Sequence, residues 1–338
     1  MKNYTVLTLL AAVGLAMTNS AAWAWHDAGH MAVTTFALAA LPEDVPDFFR
    51  EGGELAASAV TDPDMFTRPV APWELHSVES QDHFFDIEFL TAGEEKWVLP
   101  GTRFEFLEQC YDRKTKPYRV GLAPYAVMEW TQRLTVAFAE HRRRPDDQAV
   151  RQKCLVYAGI LAHYAGDVCQ PLHTSIHYDG KVAKIGDPSP RSGIHNKVDG
   201  LIGKLNAKPD DVLKGLKIGP LYDRTALAPK TPTTAPATAP ATVPTTAPAT
   251  ATRPGPSPLL QAILAEIHAS HGLVDQVYAL ESDLPDMDKP LPADSLKVRD
   301  FALDRLRGST RFVASLYLTA WRDSEFIEIP AWHRGKHE

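Results

Sequence analysis

The sequence predicts an all-α fold, a single mainly helical domain, on three observations. Apolar residues recur at i, i+3 and i+4 over five long stretches, and no series of alternating strands breaks them. At 338 residues and 44% hydrophobic, the chain can bury a sizeable core.

The elements follow in order. Lys2, the apolar run VLTLLAAVGLAM and the small-x-small triplet Ala22 to Ala24 read as a signal peptide over 1–24, cleaved after Ala24. That run is too short to span a bilayer, and no later run reaches the ~18 residues a membrane span needs. The mature chain is therefore expected to be secreted or periplasmic, to start at Trp25, and to form one domain over 25–338. The stretches HMAVTTFALAAL, APYAVMEWTQRLTVAFAEHR and DQAVRQKCLVYAGILAHYAGDVC each read as an amphipathic helix. An Ala/Thr/Pro tract over 231–258 cannot build a packed core and reads as a disordered insertion, with a domain boundary as the alternative. Two helical stretches follow it, PLLQAILAEIHASHGLVDQVYALES and SLKVRDFALDRLRGSTRFVASLYLTAW.

A formal charge of −7 leaves no basic stripe for gripping a polyanion. Cys110, Cys154 and Cys169 permit one disulfide and a thiol, or no disulfide at all.

The chemistry lies in histidines and aspartates. AHYAGDVCQPLH places His163 and Asp167 four apart on one helical face, and Pro171 ends the helix so that His173 can turn back toward them. GIHNKVDG repeats the step with His195 and Asp199. A third pair, His271 and Asp275 in HGLVD, reads as a solvated helix face. His26, His76, His177, His268 and His333 read as surface or pocket-lining residues.

Trp25 and His30, then TDPD at Asp62 to Asp64, then DHFFDIE with His83, then His163, Asp167, His173, His195 and Asp199 form an ordered set. It resembles the zinc-dependent single-strand nucleases of fungi and plants and the related bacterial phospholipase C enzymes. The resemblance implies three Zn²⁺ per chain in one cleft. The first would be held by Asp64, His83, His163 and Asp167, and the second by His173, His195 and Asp199. The third would take the α-amine and carbonyl of Trp25, with His30 and a bridging Asp167. Asp64 is preferred to Asp62 because the MFTR that follows brings an arginine soon after the ligand. Asp86 would be a second carboxylate orienting an imidazole or the attacking water, so the catalytic aspartates are Asp64, Asp86 and Asp167.

Such a set, with no Ser or Cys nucleophile, points to phosphodiester hydrolysis by metal-activated water. The short step from Trp25 to His30, the long loop before His195 and an aspartate at Asp199 resemble the nuclease branch. The partner implied is single-stranded nucleic acid or a nucleotide, acted on by a monomer. The nucleases carry a glycine-glycine-asparagine motif in the loop before the penultimate ligand; Asp179 to Lys181 are its nearest echo here and lack the asparagine, a departure from the family pattern, while Tyr178 offers a stacking face for an unpaired base. Two alternatives differ in class. A phospholipase C acting on lipid headgroups should expose an apolar rim, and no Trp/Phe-rich surface helix stands out to form one. A catalytically inactive zinc-binding scaffold should lack a ligand, and none is missing.

Overall fold

Proline and glycine cut the first third of the chain into short helices. The computed structural model describes residues 25–91, 97–224, 255–330 and 333. The expected leader and residues 231–254 of the Ala/Thr/Pro tract lie outside the described residues. Helices α1 (Asp27–Ala39), α2 (Asp47–Arg50), α3 (Gly53–Ala59), α4 (Asp62–Phe66), α5 (Trp73–Glu79) and α6 (Glu88–Thr91) come first. Pro46 precedes α2, Pro63 lies in the first turn of α4 and Pro72 precedes α5, where a missing N–H costs nothing.

The next region carries α7 (Arg103–Asp112), α8 (Pro117–Val120), α9 (Ala123–Arg143), α10 (Gln148–Asp167), α11 (Ile194–Asp199), α12 (Leu201–Lys204) and α13 (Pro209–Leu213). Beyond the tract come α14 (Pro258–His271), α15 (Val274–Ala279) and α16 (Leu296–Asp323). The fold is all-α: among the described residues the β structure is one antiparallel bridge between Phe85 and Gly121. The stretch over 258–282, expected as one helix, breaks at Gly272 and Leu273, so His271 and Asp275 stand on different helices.

Helix α10 lies at the centre, packed on α9 and on α3, while α16 covers α1, α9 and α10. Small residues let α3 and α10 approach closely. A Cβ on Gly159 would lie 2.4 Å from the Ala56 carbonyl oxygen and 2.8 Å from Ala59 Cβ. Aromatic rings fill the wider side: Phe49 meets Phe138 and Tyr317 edge to face at 4.7 and 5.4 Å, and the Tyr317 hydroxyl donates to the Ala158 carbonyl at 2.8 Å. Cys110, Cys154 and Cys169 are buried free thiols, so none is paired. No helix among the described residues is long and apolar enough to cross a membrane.

Asp147 starts α10 by accepting from the Ala149 and Val150 amides. At the other end every residue from Leu161 to Asp167 is buried. Two polar side chains, His163 and Asp167, are thereby committed to the interior, where each needs a partner. The chain around His83 is clamped from two directions. Phe85 and Ile87 donate to the carbonyls of His173 and Thr174 at 2.8 and 3.2 Å, and Asp86 donates to Val120 at 2.7 Å. Gly121, at φ +89°, allows this approach, since a Cβ there would fall 2.0 Å from the Phe84 carbonyl oxygen.

Candidate metal centre

Six segments deliver donor atoms to one buried region. Helix α1 brings His30, α4 brings Asp64, and the 3₁₀ turn Ser80–His83 brings His83. The end of α10 brings His163 and Asp167, and the 3₁₀ turn Pro171–Thr174 and α11 bring His173, His195 and Asp199. All eight side chains are buried. Three groups, His30/Asp64/His163, His83/His163/Asp167 and His173/His195/Asp199, each keep their donor atoms within 4.8 Å of one another and could each hold a metal ion.

The rings disclose their tautomers. His163 Nδ1 faces the Val60 carbonyl at 2.7 Å, His173 Nδ1 the His83 carbonyl at 2.7 Å, and His195 Nδ1 the Tyr178 carbonyl at 3.0 Å. A carbonyl oxygen only accepts, so each Nδ1 carries the hydrogen and, in a neutral ring, each Nε2 presents a lone pair. Burial, reinforced by His30 beside His163 and by His195 beside His173, holds both rings' pKa well below the usual imidazole value.

Those lone pairs converge. His173 Nε2 and His195 Nε2 are 3.0 Å apart, and Asp199 Oδ2 is 3.2 Å from the latter. His163 Nε2 lies 3.1 Å from His83 Nδ1, 3.5 Å from Asp167 Oδ2 and 3.8 Å from Asp64 Oδ1. Acceptors facing one another repel unless a cation lies among them. Asp64 Oδ2, Asp167 Oδ1, Asp199 Oδ2, His83 Nε2 and both His30 nitrogens are buried without a hydrogen-bond partner. Imidazoles tied through Nδ1 to carbonyls, with Nε2 and carboxylate atoms pointing inward, fit the ligand shell of a Zn²⁺-type cation.

The carboxyls respond in the opposite sense. Burial raises Asp64 to about 6 and Asp167 to about 7, and pushes Asp199 well above the usual range. Protons and metal ions thus compete for the same oxygens.

Asp167 occupies the middle, with Oδ1 3.3 Å from His30 Nε2 and Oδ2 3.1 Å from His83 Nδ1. Asp64 is buried and belongs to a donor group, whereas Asp62 is half-buried and belongs to none. Trp25 is fully buried, its indole donating to the Gly166 carbonyl at 3.0 Å. A Cβ on Gly166 would meet His30 Nδ1 at 3.1 Å and Trp25 Cδ1 at 3.7 Å, so both residues sit against the same turn of α10. Asp86 is buried, and burial, with Glu88 nearby, raises its carboxyl well above the usual range. Three of the imidazoles are oriented by backbone carbonyls, the task expected of a carboxylate such as Asp86.

Other polar residues play parts that their local sequence does not announce. Gln170 binds Asp199, and Tyr164, edge-on to His83 and His163, donates to Glu79, whose carboxyl burial raises to about 7. His271 is not simply solvated: its Nε2 pairs with Glu88 at 2.9 Å, and Glu88 also accepts from the Ser175 hydroxyl and the Ile176 amide. His26, His76 and His177 bond to Asn196, the Thr67 carbonyl and the Val182 amide, which ties loops together.

No family profile and no curated protein matches the chain. Among solved structures it is similar to the alpha-toxin of Clostridium perfringens, isolated from avian strain SWCP, at 13% identity, with 91% of this chain and 68% of that chain covered and a TM-score of 0.39. So loose an overlap transfers no residue role, and the side-chain geometry stands on its own.

Proposed function

We propose that the chain is a zinc-dependent phosphodiester hydrolase acting on single-stranded nucleic acid, a secreted or periplasmic monomer folded as one domain over 25–338. One observation carries the metal-dependent part: three buried groups of lone-pair donors, with the second imidazole nitrogen of three rings tied to backbone carbonyls. His83, His163, Asp167 and Asp64 would hold one ion, His173, His195 and Asp199 a second, and His30, Asp167 and the backbone of Trp25 a third. When bound, zinc supplies Lewis-acid polarisation of phosphoryl oxygens and lowers the pKa of an attacking water from 15.7 toward ~7.

The chain's own residues do the rest. Asp167 offers one oxygen to the His30 side and the other to the His83 side, and so links two sites. Asp64 presents an unpartnered buried oxygen to the same region. Asp86 is buried, and burial with Glu88 beside it raises its carboxyl well above the usual range. The nucleic-acid substrate rests on the resemblance in the order and spacing of these residues. Bound ions would also provide the positive charge that a chain of net charge −7 lacks toward a phosphodiester.

A second reading, hydrolysis of phospholipid headgroups, is favoured by α5. This helix joins the segments bearing Asp64 and His83, buries none of its residues, and leaves Trp73 75% and Val78 61% exposed. It supplies the apolar rim that the sequence pattern did not show. Turnover of the zinc-loaded protein on single-stranded RNA, single-stranded DNA and phosphatidylcholine vesicles, compared side by side, tests the proposal. Nucleic-acid cleavage abolished by chelator and restored by zinc supports the first reading. Cleavage of phosphatidylcholine alone replaces it with the second, and activity on none of the three sinks both.

A further inference from the structure

We infer that Gln170 is a positioning residue that sets the geometry of the His173/His195/Asp199 group, an inference that rests on reading the cluster as a metal centre. Gln170 is fully buried between the end of α10 and the 3₁₀ turn that presents His173. Its Oε1 accepts the Leu172 amide at 2.5 Å. That contact fixes which end of the side chain is oxygen, because a backbone N–H cannot donate to the NH₂ end. Nε2 is then left to donate to Asp199 Oδ1, 2.7 Å away.

The consequence is a choice between the two oxygens of Asp199. With Oδ1 held by the amide, Oδ2 has no hydrogen-bond partner and faces His195 Nε2 at 3.2 Å, while Oδ1 stays 3.9 Å from His173 Nε2. One side chain thereby joins the turn that carries His173 to the carboxylate of Asp199, two of the three donors. The chemistry favours an amide here. A lysine or arginine would neutralise the carboxylate and compete with a cation, whereas a neutral donor orients Asp199 and leaves its charge for the metal. The effect is local, since Asp167, a donor of the His83/His163/Asp167 group, has imidazole neighbours and, among the described residues, no amide donor.

A competing role exists: Gln170 also caps the 3₁₀ turn through Leu172, so it could act on stability alone. Zinc affinities, read by competition with a chromophoric chelator on the full chain, separate the two. In Gln170→Leu one of the three zinc ions should bind about 10- to 100-fold more weakly, the cost typical of losing a hydrogen bond to a ligating group, with the other two unchanged. The weakened ion should be the one that His195→Ala removes, and on an Asp199→Asn background Gln170→Leu should weaken binding no further. Gln170→Glu keeps an acceptor for Leu172, loses the donor when ionised, and is read in the same way if Gln170→Leu does not fold. Three unchanged affinities, or equal weakening of all three, overturn the role of Gln170. A parent protein that binds no zinc overturns the metal-centre reading itself.

Discussion

Asp167→Asn separates two consequences of burying a carboxyl at the centre of the cluster. In the metal-free protein, burial raises the Asp167 carboxyl from its ordinary 3.8 to about 7, with the neighbouring His30 ring acting against it. The folded state then keeps a proton that the unfolded state has already released. Stability from this group is therefore lost as pH rises from about 4 to about 7. At 1.36 kcal/mol per pH unit, that span amounts to about 4 kcal/mol. Asparagine has no charge to desolvate, so the chelated variant should be more stable than the chelated parent at pH 7 by a few kcal/mol, on the order of that figure. The gap should close toward pH 4. Zinc reverses the order. The parent should gain the binding energy of every ion, while the variant should lose affinity at both sites proposed to share Asp167, about 1.4 kcal/mol for each tenfold weakening. Denaturant unfolding at acid and neutral pH, with chelator and with excess zinc, reads both effects alongside zinc content. A chelated variant no more stable than the parent at pH 7, or one that keeps three tightly bound ions, refutes the reasoning.

The remaining predictions probe other parts of the cluster. Elemental analysis of protein purified without chelator should find close to three zinc ions per chain, and one or fewer contradicts the grouping of donors. Gly159→Ala should destabilise the fold by about 1–3 kcal/mol through its clash with Ala56 and Ala59 while leaving zinc content unchanged. By contrast, Gly166→Ala should weaken zinc binding about tenfold or more, because its new Cβ presses on the His30 ring; equal zinc affinity in the two variants would dissociate His30 from the metal. A chain that retains a methionine before Trp25 should keep the ions held by side chains and lose most hydrolysis, since an amide nitrogen cannot replace an amine ligand. Equal turnover of the extended and processed forms removes Trp25 from the site.

Parts of this cluster are written locally, and those parts were legible. His163 and Asp167 are four residues apart on a helix whose periodicity is plain, so their shared face follows from 3.6 residues per turn. Pro171 announces the turn that returns His173, and the length and pattern of α9, α10 and α16 mark the all-α core. What escaped depends on distance along the chain. Gln170 before a proline looks like any turn cap, and only the placement of Asp199, 29 residues away, gives its amide a second task. His271 carries no sign that Glu88, 183 residues away, would claim it. Nor does the composition of α5 reveal that none of its side chains is buried, because exposure belongs to the docked helix rather than to its sequence. The pairs His163/Asp167 and His195/Asp199 are legible because their spacing is helical, whereas the groups that aim them come from whichever element the tertiary fold brings alongside. The aiming groups are therefore the natural targets for mutation. A changed ligand removes an ion outright, but a changed Gln170 shows whether the surrounding fold tunes that ion.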